Sequence, residues 1–222
     1  MNQSTIFAKG PVITLASWGP RGRGAEISYT IVDSPFGRML VAVTARGICA
    51  LSVHHSDEWQ ESELHRDFRE AKIARDDGAA LPAADAVLRY LRGETAQCEA
   101  PLEVSGTPFQ LGVWRELCAI PEGSTRSYGE IAARIGRPSA ARAVGHANGS
   151  NPVSIVIPCH RAIGANGNLT GYRWGLEIKR KLLAFEQARA GRTALDLPIR
   201  TAGMPSARRA SERPSSMTPP VR

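Results

Sequence analysis

A cysteine and a histidine stand side by side in this chain, as Cys159-His160, directly after Ile155-Val156-Ile157-Pro158. A thiol becomes a strong nucleophile when it loses its proton, and its pKa of ~8.5 falls beside cationic or donor groups. An imidazole can take that proton. The chemistry on offer is attack by sulfur on an electrophilic carbon. Residues 153–157 read as a short buried strand, being apolar, β-branched and flanked by proline. Pro158 has no N–H, so strand pairing should stop there and leave Cys159 at a strand-to-loop junction, a common place for a reactive group. Neighbours on a strand face opposite ways. Contact between Cys159 and His160 therefore needs a turn or an intervening water. Taken alone, such a pair reads more readily as a buried structural cysteine with a chance neighbour.

Helices with clear start signals surround this pair. Thr107-Pro108-Phe109-Gln110 is a capped start, with Thr as N-cap, Pro at the first position and Gln three after the cap. Phe109, Val113, Trp114, Leu117 and Cys118 then form a core-facing stripe, on which Cys118 reads as a packing residue. Ser127-Tyr128-Gly129-Glu130 is a second capping box, opening a helix with Ile131, Ala132 and Ile135 inward and stopped by Gly136 and Pro138. Ser139 is expected to cap a third helix over residues 140–148. Two short helices about a tight turn make a helix-turn-helix pattern. The second is mostly alanine and glycine, so its backbone can approach another helix or an outside partner closely. After the Gly-rich loop 164–168, a helix is expected over residues 176–189, with Leu182, Leu183 and Phe185 apolar and a Glu177–Lys181 pair.

The first half reads differently. Residues 27–32, 39–44 and 47–53 are apolar runs separated by turn residues, a β-meander. Trp59, Leu64, Phe68 and Ala71 fall on one helical face. Pro82 should open a second helix, with Val87, Leu88 and Leu91 inward and Gly93 after it. His54, His55 and His65 read as surface histidines. Residues 1–24 are expected to be a flexible leader, and the Pro/Ser/Arg mixture of residues 190–222 a disordered basic tail.

Composition narrows the classes. With 222 residues, 42% hydrophobic and 22% charged, the chain is globular in type and long enough for a real core. No apolar run approaches the roughly 20 residues of a membrane span, and no signal-peptide pattern is seen, so a cytoplasmic location is expected. Cys49, Cys98, Cys118 and Cys159 show neither CxxC nor paired His spacing, which argues against a zinc site and a disulfide framework. Net charge is +7, which suits a polyanion. The residues from Gln187 onward carry seven arginines against Asp196 and Glu212, so most of that charge belongs to the tail.

The longer pattern around the cysteine is more specific. Asn151-Pro152, then Pro158-Cys159-His160-Arg161, then Leu169-Thr170-Gly171-Tyr172-Arg173-Trp174-Gly175 resembles the O6-alkylguanine-DNA alkyltransferases, also called methylated-DNA–protein-cysteine methyltransferases. The Gly-Tyr-Arg-Trp-Gly version looks nearest to the C-terminal half of the bacterial adaptive-response protein. That protein's separate zinc-cysteine domain and regulatory segment are not visible here, so a transcription-activator role is not supported. The clear match runs over about residues 107–186, with a weaker one back to about residue 27.

The resemblance implies an α/β fold: a small RNase H-like N-terminal domain over residues 25–100, and a helical domain over 101–189 with a winged helix-turn-helix-like DNA-binding element. It implies a monomer without cofactor or metal that acts from the minor groove on double-stranded DNA containing O6-alkylguanine, with O4-methylthymine as a further candidate substrate. Cys159 would accept the alkyl group, His160 would deprotonate it and Glu186 would orient His160. Arg142 would enter the base stack in place of the flipped nucleotide, with Ala141 and Gly145 on the small-residue helix fitting the groove. Tyr128 would push the 3′ phosphate and supply a proton near guanine N3. Asn151 would support the hinge, Arg161 would buttress the cysteine loop, and Tyr172 and Arg173 would cover the base pocket. His146 stands where a basic residue is not usual, and would touch a phosphate or face solvent. A base buried in the duplex must be everted before sulfur can reach it, at a cost of a few kcal/mol. The rivals are a lesion sensor that binds without transfer, a class that lacks the cysteine, and a Cys-His-Glu hydrolase, for which no oxyanion or substrate signature is present.

Overall fold

A computed structural model describes residues 4–5 and 11–191. The first half is a seven-stranded sheet in the order β1-β2-β7-β5-β4-β3-β6. Its strands are β1 (Ser4–Thr5), β2 (Ile13–Leu15), β3 (Glu26–Ser34), β4 (Gly37–Thr44), β5 (Gly47–His54), β6 (Lys72–Arg75) and β7 (Leu102–Val104). The meander β3–β4–β5 is antiparallel, as its sequence suggested. Helices cover both faces: α1 (Asp57–Asp67) and α2 (Asp77–Arg92). Leu40 and Ala42 face the cluster that holds Leu64 of α1, whereas Met39, Val41 and Val43 face Ala80, Ala84 and Val87 of α2. Alternate side chains of one strand thus feed two cores, which is why β4 reads as an unbroken apolar run.

The second half contains α3 (Pro108–Cys118), β8 (Arg126–Ser127), α4 (Tyr128–Arg134), α5 (Ala141–Gly149), β9 (Ala162–Ile163) and α6 (Leu176–Arg189). Both expected capping boxes form, at Thr107/Gln110 and Ser127/Glu130. The larger core runs without a break from the sheet into Val113, Trp114, Ile131, Val144, Ile157 and Leu182. Trp114 Nε1 donates to the carbonyl of Ala147 (2.8 Å), locking α3 to α5. Arg189 latches the end of α6. It pairs with Glu122 (3.1 Å), donates to the carbonyl of Tyr90 (2.8 Å) and lies over the rings of Tyr90 and Phe185.

Several expectations are corrected. The leader is not uniformly loose, because β2 pairs in parallel with β7 and joins the sheet. The second helix starts at Asp77, capped by Asp76, so Pro82 lies inside it. The residue four before that proline is Gly78, which has no side chain to add to the crowding there. Strand β6 was not foreseen; it pairs at the sheet edge with β3 and has three exposed residues of four. The cap of α5 is Ala140, with no side-chain bond, and not Ser139. The tail beyond residue 191 lies outside the described residues.

The largest correction concerns residues 153–157, which are buried but form no strand. Val153 makes a single bridge to Leu51 of β5, with Leu51 N–H donating to Pro152 and Ser154 N–H to Leu51. The chain then coils on itself: Ile157 N–H donates to Val153, and Ile155 sits at φ 72°, a strained value for a β-branched residue. Asn151 explains the coil. Its amide donates to the carbonyl of Ile157 (2.8 Å) and accepts from the N–H of Val153 (3.0 Å), closing the segment into a loop that an extended strand could not make.

Candidate active site

Cys159, His160 and Arg161 form one turn of 3-10 helix. The turn is present, but no hydrogen bond joins Cys159 to His160, whose Nδ1 has no partner among the described residues. The next two residues are β9, which pairs in parallel with β8, and β8 leads directly into Tyr128. This short ladder fixes Tyr128 beside the cysteine turn.

Behind Cys159 lies a buried ionic cluster. Glu186 accepts a hydrogen bond from His160 Nε2 (2.7 Å), from Arg161 Nε and Nη2 (2.8–3.1 Å) and from the N–H of Gly123 (3.3 Å). Arg161 Nη1 also donates to the carbonyl of Ile120 (2.6 Å). His160 is fully buried and Glu186 nearly so. Burial alone would raise the Glu186 carboxyl, but His160 and Arg161 outweigh it and hold the group down at about 2. Glu186 is therefore anionic and fixes the proton of His160 on Nε2. The other ring nitrogen, Nδ1, is buried with no partner among the described residues and is left as an acceptor.

Burial pushes the Cys159 thiol up, against the pull of Asn151, Ser154, Lys179 and Tyr172. The resting sulfur is a thiol that needs a base, not a preformed thiolate. Ser154 Oγ lies 4.0 Å from it and accepts from the indole N–H of Trp174.

Lys179 was missed in the sequence. It is fully buried, donates to the carbonyls of Ala162 (2.7 Å) and Thr170 (3.1 Å), and is held down to about 8 by burial, against the pull of Cys159. The signal was present: the buried stripe of α6 is Lys179, Leu182, Leu183, Glu186 and Gln187, the spacing of a core-facing helix. Two opposite charges on an apolar stripe mark a site. Lys179→Met should strand both carbonyls, lowering stability by about 2 kcal/mol. Relative to that variant, the wild type should gain stability as pH rises from about 8 toward 10.5, where the unfolded chain binds the extra proton. Urea titrations of both proteins across that range check the sign.

Cys159 opens into a cavity of about 430 Å³, a normal size for a small-ligand pocket. Tyr128, Asn151, Tyr172, Arg173 and Gly145 line it together with Cys159, as does Trp174. Thr170 donates to the Tyr128 hydroxyl (3.2 Å), and burial pushes that phenol up, so it keeps its proton. The Tyr172 hydroxyl is buried without a partner among the described residues, and burial, then Cys159, push it well up. His160, Glu186 and Arg161 do not line this cavity but stand behind its floor. The Arg173 side chain turns away, to Glu63 and Asp67 of α1. Arg142 and Ala141 lie outside the cavity.

Beside the cavity mouth, Arg142, Gly145, His146, Gly149 and Ser150 form a shallow concave face on α5. Gly145 and Gly149 also line the cavity, so the two surfaces are continuous. A Cβ added at Gly145 or Gly149 would touch nothing within 4 Å. Internal packing therefore does not demand a glycine at either position. Arg142 and His146 are exposed on this face. No helix among the described residues is long and apolar enough to cross a membrane.

Comparisons with known proteins give the family of the chain. Residues 27–104 match the model of the 6-O-methylguanine DNA methyltransferase ribonuclease-like domain, and residues 108–188 that family's DNA-binding domain. The chain is 44% identical over 164 residues to the methylated-DNA–protein-cysteine methyltransferase of Mycobacterium tuberculosis, spanning 74% of this chain and 94% of that one. It is 41% identical over 165 residues to the regulatory protein ada of Salmonella typhimurium, of which the match spans 47%. The crystal structure of the M. tuberculosis O6-methylguanine methyltransferase superposes with a TM-score of 0.61 at 41% identity, over 73% of this chain and 94% of that one, and the same enzyme in complex with DNA with 0.60. The chain belongs to the 6-O-methylguanine DNA methyltransferase family, and its second half is that family's DNA-binding domain.

Proposed function

We propose that this chain repairs DNA by moving an alkyl group from O6 of an everted guanine onto Cys159, once per molecule. The observation that carries the reading is a buried thiol at the floor of a cavity that opens onto the small-residue face of α5. In this scheme α5 enters the minor groove, and Arg142 fills the place of the everted nucleotide by stacking and polar contact. Minor-groove binding reads little sequence, which suits a repair protein.

In the cavity, Glu186 keeps His160 protonated on Nε2, so Nδ1 takes the Cys159 proton, relayed by one water. Sulfur then attacks the alkyl carbon in line. The S–C bond forms, the C–O6 bond breaks and its electron pair stays with guanine. Tyr128, which holds its proton, donates at the base as this charge develops. The step leaves His160 protonated and Tyr128 as a phenolate; a proton then returns from one to the other through water, so the net change moves the thiol proton to guanine. The product thioether has no good leaving group, so the cycle ends there. Asn151 holds the cysteine loop through its amide, which donates to the Ile157 carbonyl, and meets the end of α5 through its N–H to the Asn148 carbonyl. All these groups come from one chain, so the scheme calls for no second subunit.

The test is intact mass after mixing with excess duplex containing O6-methylguanine. The chain should gain one methyl group, in the peptide that carries Cys159, and Cys159→Ala should gain none. More than one methyl per chain, release of the methyl with turnover, or normal transfer by the alanine variant would exclude the scheme.

A further inference from the structure

The segment from Thr170 to Trp174 walls the cavity, yet belongs to no strand or helix. Its charged side-chain anchors lie across the domain boundary, on α1 of the ribonuclease-like half. Arg173 Nη2 meets Glu63 Oε2 at 2.9 Å and Asp67 Oδ2 at 2.6 Å. The Arg173 guanidinium stacks 5.0 Å over the Trp174 ring, and Trp174 packs edge-on against Trp59 of α1 at 5.8 Å. Trp174 in turn holds Ser154, the hydroxyl beside the reactive sulfur.

These contacts are placed to act as a unit. Glu63 and Asp67 are one turn apart on α1, so both reach a single guanidinium. The Glu63 side chain is 13% exposed and that of Arg173 23%, so solvent screens the pair less than a surface ion pair. The planar fork of arginine can hold two carboxylates and still lie on an indole, which the compact ammonium of lysine cannot do in full.

We infer that Arg173 is a positioning residue, through which α1 of the ribonuclease-like half fixes the wall of the pocket and so sets the rate of alkyl transfer. The inference gives a task to a domain that contributes no group to the chemistry, and it rests on the reading of the cavity as the chamber for the everted base. Its action passes through the loop main chain and Trp174 to Ser154, not through contact with DNA.

Single-turnover transfer, measured over a range of lesion-duplex concentrations, separates binding from the chemical step. Arg173→Ala should lower the saturating rate about tenfold and leave affinity for undamaged duplex unchanged. Arg173→Lys, which keeps the charge, should recover part of the rate. The double change Glu63→Gln with Asp67→Asn should reproduce the loss, and adding it to Arg173→Ala should cost little more, because the three side chains form one contact. Fully additive losses, an unchanged saturating rate with only a lower melting temperature, or a fall in affinity alone would overturn the inference. If the wild type itself gains no methyl at Cys159, the chamber reading fails first and takes this inference with it.

Discussion

Glu186→Gln is expected to cost the fold about 3–5 kcal/mol, because it strands a buried arginine, and to slow alkyl transfer by a factor on the order of 10²–10⁴. Arg161 is 6% exposed and gives three of its hydrogen bonds to the carboxylate. A neutral amide leaves that cation without a counter-charge. The rate effect has a separate cause. The amide oxygen would stay with Arg161 and turn the NH2 toward His160 Nε2. That nitrogen would become the acceptor and the proton would move to Nδ1, the atom that must accept from the thiol. Acid sensitivity gives a third readout. The folded carboxyl sits at about 2 against an ordinary 4.5, so its contribution, about 3 kcal/mol, is complete above pH 4.5 and is lost as pH falls toward 2. The glutamine variant should lack that part of the acid limb. A variant with wild-type rate and an unchanged acid limb would refute the role assigned to this residue.

Arg142→Ala is expected to lower transfer from duplex DNA about a hundredfold, a loss of roughly 2.7 kcal/mol, in the range of the cost of eversion. The side chain is exposed on α5 and has no ion-pair or hydrogen-bond partner among the described residues, so stability should stay within about 0.5 kcal/mol. With the lesion in an unpaired single strand, no stacked neighbour has to be replaced. There the variant should react as fast as the wild type. Equal losses on both substrates would remove the eversion role and leave Arg142 as a general phosphate contact.

Much of the fold was readable because its signals are local. The boxes at Thr107 and Ser127 each specify a helix start within four residues, and the β3–β5 meander shows as three apolar runs split by turn residues. The misreadings have long-range causes. Residues 153–157 have strand composition, but the Asn151 amide and a single bridge to Leu51 hold them in a coil. No local pattern announces that. Strand β6 carries mostly exposed residues and exists because β3 offers a free edge. At the site, the cysteine motif was legible as a string, and Glu186 only through resemblance. Lys179 was overlooked because lysine is expected at a helix surface, although its register with Leu182 and Leu183 put it inside. Arg173 was placed at the pocket, but its side chain reaches α1, which no linear motif encodes.

The Arg189 latch implies an order of failure. Helix ends fray first, and Glu186 lies within one turn of the end that Arg189 pins against Glu122 and Tyr90. None of the partners of Arg189 lies in α4 or α5. Warming or proteolytic nicking near residue 189 should therefore yield a molecule that still grips damaged duplex but has lost its reactivity, a plug that shields the very lesion it was meant to erase.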